Sequence, residues 1–128
     1  MPLPTPTPPP LPPELYALLA AAQPAVHLLL PVYYPGGRGI ADFRLCYLSD
    51  AARRLPGLPQ QPGGTVLGSH PRPAADGLLY YYLRLFEAGG STTYDAVLAA
   101  QGSALPYHFV ARRQGEWLVV RISELAAG

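Results

Sequence analysis

The segment Ile40–Pro59 reads IADFRLCYLSDAARRLPGLP and determines the fold that the sequence predicts. Bulky apolar residues take alternate positions in its first half, at Phe43, Leu45 and Tyr47. A period of two is typical of a strand that turns one face to a core. We therefore expect a strand over residues 40–48 with these three side chains on its inner face.

A helix start follows this strand without a linker. The side chain of Ser49 or Asp50 can accept a hydrogen bond from a free backbone N–H and so cap a helix over residues 51–55. Pro56 and Gly57 then predict the end of that helix. The segment thus predicts a strand, a cap and a short helix in direct succession.

Two further elements are predicted before this segment. Residues 14–22 have the pattern of an amphipathic helix, and residues 26–34 form an apolar run that fits a buried strand. Pro35–Gly39 is expected to join that strand to the next, because its glycines allow positive φ angles. A phosphate-binding role for this loop is disfavoured, since it leads into a strand and not into a helix N-terminus.

The longest helix is predicted over Asp76–Ala88. The dipeptide Gly89-Gly90 follows it and favours a left-handed terminus. The spacing of apolar residues predicts an inward stripe of Leu79, Tyr82, Leu83 and Phe86. Tyr81 is expected to point away from the sheet, toward solvent or a partner.

The C-terminal part of the chain predicts a hairpin of alternating strands. Its first strand carries on one face Tyr107, Phe109 and Ala111. Beyond the turn at Gln114-Gly115, the last strand carries Trp117 and Val119 on one face and, on the other, Leu118, Val120 and Ile122. Because both faces of this strand are mostly apolar, its outer face must be covered. The expected cover is the helix over 14–22 or a second copy of the chain.

The order of these elements resembles that of PAS domains. The segment that begins at Ile40 is similar to the PAS pattern D-F-R-x-x-Y-x-N-P-A-A-x-x-L followed by G-x-P. ADGLLYYYLRLFEAGG resembles the long PAS helix, and PAVHLLLPVYYPGGRG resembles the first strand with its loop. TYDAVLAA and LPYHFVARRQGEWLVVRIS resemble the three closing strands. The resemblance covers about residues 14–124.

This resemblance implies an α+β fold, a five-stranded antiparallel sheet with short helices and one longer helix on one face. It also implies a cytoplasmic sensory or dimerisation module of bacterial signal transduction, as in two-component systems, with no catalytic activity of its own. Such a module binds a small molecule or a partner protein. We expect a homodimer formed through the sheet face and the N-terminal helix, and we expect contact with a separate output protein.

Two positions depart from the family pattern. Ser49-Asp50 stands where the family has Asn-Pro, and Arg121-Ile122-Ser123 stands where it has Asp-Ile-Thr. The acidic residue of that second motif helps to couple the fold to a following coiled coil in the family. Either a separate chain provides the output, or this is a stand-alone copy.

A pocket is expected between the long helix and the sheet. Its candidate lining is Tyr82, Phe86, Tyr94, Tyr107, Phe109 and Trp117. Apolar walls with a few hydroxyl and indole donors are typical of small-molecule sites. The same rings could instead fill the core completely. These residues identify no particular cofactor.

Composition bounds the possible partners. The 128 residues suffice for one domain, and the net charge of +1 comes from 9 basic residues, all arginine, and 8 acidic ones. The arginines are dispersed, so no nucleic-acid surface is expected.

The charge-free run between Glu14 and Arg38 is broken by Gln23-Pro24 and Pro31, so no membrane span is expected. A single cysteine, Cys46, favours a reducing, cytoplasmic location.

Two stretches are rich in proline. Residues 1–13, MPLPTPTPPPLPP, hold eight of the 17 prolines and predict an extended, disordered tail ahead of a single domain over 14–128. A docking peptide for a polyproline-binding groove is the alternative role of this tail. Residues 55–73 predict a long connection with one short helical turn at Thr65–Gly68.

Metal, haem and photochemical sites are disfavoured. The histidines His27, His70 and His108 show no metal-ligand spacing with each other or with Cys46. His70 as an axial haem ligand is a minor alternative, because the long helix itself contains no histidine. Cys46 lies in a predicted strand and outside any flavin-binding cysteine motif. A turn is the expected role of Gly68-Ser69-His70, not a nucleophile.

Two other functions compete with the sensory one. A small enzyme or carrier of the nuclear-transport-factor-like α+β type requires a carboxylate and a histidine that converge inside the fold, and Asp95 with His108 is the candidate pair. A protein-protein adaptor would use the proline-rich tail and the tyrosines of the long helix.

Overall fold

The structure is a computed structural model that describes residues 9–21, 24–70, 72, 74–100 and 103–125. Its elements are α1 Pro13–Ala20, β1 Ala25–Tyr33, β2 Ile40–Leu48, α2 Asp50–Arg53, α3 Val66–Ser69, α4 Ala74–Ala88, β3 Ser91–Ala100, β4 Ser103–Gln114 and β5 Trp117–Glu124. Within the described ranges, no helix has the length and apolar character needed to cross a bilayer.

The five strands form one antiparallel sheet in the order β2-β1-β5-β4-β3. After β2 the chain crosses through α2, α3 and α4 to the opposite edge of the sheet, where β3 begins. The expected α+β class, a five-stranded antiparallel sheet with short helices and one longer helix, is therefore confirmed. The predicted strand over 40–48 has the same bounds in the structure.

The sheet separates two apolar clusters. The larger, which we call the inner cluster, joins α2, α3 and α4 to one face of the sheet and includes Leu118, Val120 and Ile122 of β5. The outer cluster lies on the opposite face and contains Leu15, Val26, Leu28, Trp117 and Val119. Alternate side chains of β5 therefore belong to the inner and the outer cluster, as the sequence pattern predicts. Leu15 belongs to α1, so this helix covers the outer face beside β1 and β5.

The predicted tail is only partly within the described ranges. Residues 1–8 lie outside them. Pro12 has φ −60° and ψ 151°, which are polyproline-like angles. Leu11 is half-buried against the outer cluster, so the proline-rich segment contacts the domain just before α1 begins.

A bulge in β2 makes one sequence expectation wrong. Leu28 pairs with Tyr47 whereas Leu29 pairs with Leu45, so Cys46 is an extra residue in the ladder. One extra residue moves all later side chains to the opposite face. Tyr47 consequently lies on the outer face, 5.8 Å from the ring of Trp117, and not beside Phe43 in the inner cluster.

Ser49, and not Asp50, caps the short helix. Its hydroxyl oxygen accepts a hydrogen bond from the N–H of Ala52 at 3.3 Å. The same oxygen accepts a hydrogen bond from the buried N–H of Val26 at 2.9 Å. The backbone N–H of Ser49 in turn donates to the carbonyl of Val26 at 3.0 Å. The cap of α2 is therefore also the last rung between β1 and the end of β2.

The buried face of α4 is wider than the predicted stripe. Its buried residues are Ala75, Leu78, Tyr81, Tyr82, Leu85 and Phe86, while Leu79 and Leu83 are only partly buried. The expectation that Tyr81 points away from the sheet is wrong, because its side chain is 9% exposed. The physical reason is edge strand β3, whose Tyr94 stacks on Tyr81 at a ring-centroid distance of 4.8 Å.

The two edges of the sheet differ in how they are covered. At the β2 edge, the N–H of Leu45 donates to the carbonyl of Gly64 at 2.9 Å, and the N–H of Gly63 donates to the carbonyl of Leu45 at 2.8 Å. The connection between α2 and α3 therefore covers that edge. None of the described residues pairs with the free edge of β3.

We expect Ser49→Ala to lower the free energy of unfolding by about 1–3 kcal/mol, because it leaves the buried Val26 N–H and the first turn of α2 without an acceptor. Asp50→Ala is the matched control, and its exposed side chain should contribute less than about 0.5 kcal/mol. Urea unfolding of both variants measures the difference. Equal losses would show that Ser49 does not have this joining role.

Trp117→Ala should destabilise the protein by about 3–5 kcal/mol, because it leaves a large cavity between α1 and the sheet. The buried indole Nε1 has no hydrogen-bond partner among the described residues, so Trp117→Phe loses no hydrogen bond and should cost clearly less. Thermal melting of the two variants checks this order. An unchanged melting temperature in Trp117→Ala would contradict the position of β5.

Candidate functional site

A small cavity lies between the inner face of the sheet and the helices α3 and α4. Its volume is about 20 Å³, which is room for roughly one water molecule. Residues from β1, β2, α3, α4, β4 and the connections around α3 contribute to its walls, which are His27, Leu29, Leu45, Leu58, Pro59, Thr65, Val66, Ser69, His70, Leu78, Tyr82 and Phe109. The walls are mostly apolar, with two imidazoles among them.

His27 is brought to this cavity by the alternation of β1. Ala25 and Leu29 belong to the inner cluster, and His27 lies between them with the same side-chain direction. It is 4% exposed, and its Nε2 has no hydrogen-bond partner among the described residues. Burial, and to a smaller extent the charge of nearby His70 when it is protonated, together lower the pKa of His27 to about 3. The imidazole is therefore neutral at pH 7.

His70 reaches the cavity from the end of α3. This helix begins at Thr65, whose hydroxyl accepts a hydrogen bond from the N–H of Gly68 at 3.1 Å. His70 follows the helix with an extended backbone and is partly buried. Burial lowers its pKa. The predicted turn at 65–68 is thus a capped helical turn that brings a second neutral imidazole to the cavity wall.

Two neutral imidazoles offer defined hydrogen-bonding chemistry. Each has one N–H donor and one nitrogen acceptor. The remaining walls are mostly apolar, with the hydroxyl-bearing residues Thr65, Ser69 and Tyr82 among them, so a polar molecule in this cavity would meet these residues as well as His27 and His70. No group of three or more His, Cys, Asp or Glu side chains suited to a metal ion occurs in the described part of the chain. The arrangement fits a small hydrogen-bonding molecule better than a metal ion.

Five of the six predicted lining residues lie on the inner side of the sheet. Tyr82 and Phe109 line the cavity itself, while Phe86, Tyr94 and Tyr107 pack in or against the inner cluster. Trp117 belongs to the outer cluster. The prediction of one wall made of six residues is wrong for Trp117, because Trp117 and Leu118 point to opposite faces of β5.

The aromatic residues leave little free space. Phe43 packs edge-on against Tyr82 at 5.9 Å and against Phe86 at 5.7 Å between ring centroids. Tyr107 donates a hydrogen bond from its hydroxyl to the carbonyl of Pro56, which fixes the connection after α2 over the core. These rings therefore fill most of the core and leave a cavity of about the size of one water molecule.

The candidate catalytic pair lies elsewhere. Asp95 Oδ1 and His108 Nδ1 are 2.5 Å apart, across the rung that joins β3 to β4. Their side chains are 62% and 33% exposed. Both alternate with inner-face residues such as Tyr94 and Phe109, so they lie on the outer face. The pair does not meet the requirement of a buried carboxylate and histidine inside the fold.

A second concave surface lies between α4 and β3, which we call the tyrosine groove. It has a volume of about 550 Å³ and is lined by Gly77, Tyr80, Tyr81, Arg84, Leu85, Ala88, Gly89, Ser91, Thr92 and Tyr94. The Tyr81 hydroxyl donates to the carbonyl of Thr92 at 2.7 Å. A Cβ at Gly77 would lie 2.8 Å from the Tyr94 hydroxyl, so a larger residue at this position would require the Tyr94 side chain to shift.

Sequence reasoning did not single out His27 or the tyrosine groove as sites. The signal for His27 was its place between Ala25 and Leu29 in an apolar strand, which predicts a buried imidazole. The signal for the groove was the inconsistent stripe of α4, in which three consecutive tyrosines, Tyr80–Tyr82, cannot all share one orientation.

Comparison with protein-family models, with curated proteins and with solved structures gave no significant match to this chain.

We expect the stability of the protein to fall as the pH is lowered from 7 to 4. The pKa of His27 is about 3 in the folded protein, below the unfolded value near 6.5. Its stabilising contribution is therefore complete above pH 6.5 and is lost as the pH falls toward 3. At pH 4 the loss should be about 2–4 kcal/mol.

His27→Leu should show a smaller loss of stability between pH 7 and pH 4, because leucine fits the apolar surroundings and cannot bind a proton. Thermal unfolding at a series of pH values compares the two proteins. An NMR titration of the His27 ring gives an independent measurement. A titration midpoint near the ordinary histidine value would contradict the burial of this imidazole.

Proposed function

We propose that this chain is a cytoplasmic, PAS-like sensory module of bacterial signal transduction that takes a small polar molecule into the cavity of His27 and His70. The order and spacing of its elements, which resemble the family, support this assignment. The single observation that carries it is the buried Nε2 of His27, which has no hydrogen-bond partner among the described residues. In this proposal the chain binds its ligand and catalyses no reaction.

The energetics of His27 favour a ligand or a bound water. A buried polar group without a partner costs about 1–3 kcal/mol. A molecule that hydrogen-bonds with Nε2 would recover this free energy, and it would meet His70 across the same cavity. Because a charge would be desolvated by the apolar walls, the proposed ligand is small and uncharged, with at least one hydrogen-bonding group.

Any ligand larger than water requires the cavity to widen. The sheet side of the cavity is held by the ladders of β1 with β2 and β5. The opposite side includes Leu58 and Pro59 of the connection between α2 and α3, a segment without regular structure from Gly57 to Gly64. We propose that this connection moves when a ligand enters, and that its bonds with Leu45 transmit the movement to the β2 edge.

The output of the proposed module is a contact with another protein chain. The uncovered part of the outer face carries the exposed residues Val97 and Val110, and Val110 lies beside Arg112 and Arg121. Exposed apolar residues next to charged ones are typical of contact surfaces. They support the proposed homodimer through the sheet face and α1, or docking of a separate output protein on the same face.

Ligand binding can be tested on the purified full-length protein. Mass spectrometry of small molecules released by denaturation should identify a bound compound, and that compound should raise the melting temperature of the wild-type protein. His27→Leu should abolish the rise. His108→Gln is the control, because His108 lies on the outer face, and it should retain the rise.

The proposal is wrong if a panel of small uncharged hydrogen-bonding compounds, together with any released compound, stabilises wild type and His27→Leu equally. Equal effects would mean that binding does not involve the cavity. A crystal structure of the complex, or ring NMR shifts of His27 and His70, would then locate the actual site.

A further inference from the structure

The edge strand β3 lacks the features that usually protect the edge of a sheet. It is ten residues long, STTYDAVLAA, and contains neither proline nor lysine. It pairs with β4 from Ser91 to Ala100 without a register shift, so no bulge twists it away from an incoming strand. Long, straight edges of this kind are the ones that pair with another chain. None of the described residues extends the sheet beyond β3.

The backbone groups of alternate β3 residues face away from the sheet. The N–H of Arg113 donates to the carbonyl of Gly90 at 3.2 Å, one rung before β3 begins. Because hydrogen-bonded pairs alternate along an antiparallel ladder, the even-numbered residues of β3 bond with β4. The odd-numbered residues from Ser91 to Ala99 therefore present their N–H and C=O groups at the free edge.

The side chains of β3 do not keep another strand away from this edge. Asp95 is the single charged residue of the strand, and its Oδ1 lies 2.5 Å from Nδ1 of His108 in β4. Its carboxylate is therefore directed toward β4 and away from the free edge. Thr93 and Val97 are β-branched residues, which favour strand pairing, and Val97 is 62% exposed.

A second copy of the chain fits this edge because the pairing then closes on itself. The opposite edge of the sheet, at β2, is covered by Gly63 and Gly64 of the connection between α2 and α3. In the part of the chain that the structure describes, each copy therefore has one free edge. Two copies that pair through β3 about a two-fold axis use both free edges, so the assembly ends at a dimer.

The charge of Asp95 selects one register for this pairing. When the odd-numbered residues of two β3 strands face each other, an axis at Asp95 or at Ala96 gives the greatest overlap. An axis at Asp95 would place two carboxylates directly opposite each other, which destabilises a strand pair. An axis at Ala96 pairs Asp95 with Val97 of the second copy and Thr93 with Ala99, and each such pair exchanges two N–H···O bonds.

We propose that two copies of this chain pair antiparallel through β3, with the two-fold axis at Ala96, and so form one continuous sheet. The interface is the edge of the sheet, so the outer face remains available to the output protein of the proposed function. The His27 cavity lies between the inner face and the helices, and no residue of β3 lines it. The pairing therefore does not depend on the ligand of that cavity, and each proposal can fail alone.

Sedimentation equilibrium of the full-length chain should give a mass that rises with concentration from that of one chain to that of two, and no further. Val97→Pro removes an N–H that faces the free edge and is not needed within one copy, so the monomer should stay folded. Its dimer dissociation constant should rise at least about tenfold. Val97→Thr retains the N–H and the branched Cβ and is the matched control, with the affinity of the wild type.

Cross-linking tests the register independently of the proline variant. In a Cys46→Ser background, Ala96→Cys oxidised with diamide should form a disulfide between copies, because Cα atoms of a non-hydrogen-bonded pair are about 4.5 Å apart. Thr93→Cys is the control, since its two copies lie three residues on either side of the axis, about 20 Å apart, and should not cross-link. Non-reducing electrophoresis measures the difference.

Three results would overturn the proposal. They are a monomer at every concentration, a folded Val97→Pro that dimerises like the wild type, and equal cross-linking of the two cysteine variants. A dimer that Val110→Asp abolishes and Val97→Pro does not would place the interface on the outer face and would also overturn it.

Discussion

The hydroxyl of Ser49 is the contact on which the rest of the fold depends. It is 1% exposed, and it joins three elements by accepting from Val26 in β1 while it caps α2 at the end of β2. A chain that leaves β2 must turn at once to bring α2, α3 and α4 onto the inner face. Because the cap and the last rung of the ladder share one oxygen, strand pairing and the direction of the crossing are set together. The helices that form the cavity wall are positioned by this turn.

The regular parts of the fold could be predicted because they follow from local rules. The alternation of β2 and β5, the cap of α2, the glycine terminus of α4 and the need to cover Trp117 each depend on nearby residues. The bulge at Cys46 could not be predicted, since it depends on how β2 pairs with β1. The position of Tyr81 was also out of reach, because it depends on the distant residue Tyr94. Contacts between residues far apart in the sequence, rather than local propensity, determine both the bulge at Cys46 and the position of Tyr81.

The candidate site was predicted in its location and not in its chemistry. An apolar space between the long helix and the sheet follows from the order of elements, and Tyr82 and Phe109 do line it. His27 and His70 meet there because β1 presents one imidazole inward and the end of α3 brings the other to the same cavity. Their separation along the chain gives no spacing signal. Of the two expected outcomes, a pocket wall or a filled core, the aromatic rings come nearer to the second, since Phe43 packs edge-on against Tyr82 and Phe86.

Gly77 influences the distance between α4 and the edge of the sheet because it has no Cβ atom. At this position the Tyr94 hydroxyl occupies space that a Cβ would need, since a Cβ built there would lie 2.8 Å from it. A methyl group would tilt the Tyr94 ring, and the stacked Tyr81 with its bond to Thr92 would have to follow. Because Gly77 has no Cβ, α4 and β3 can lie close together at this point. Their separation determines the width of the space between them.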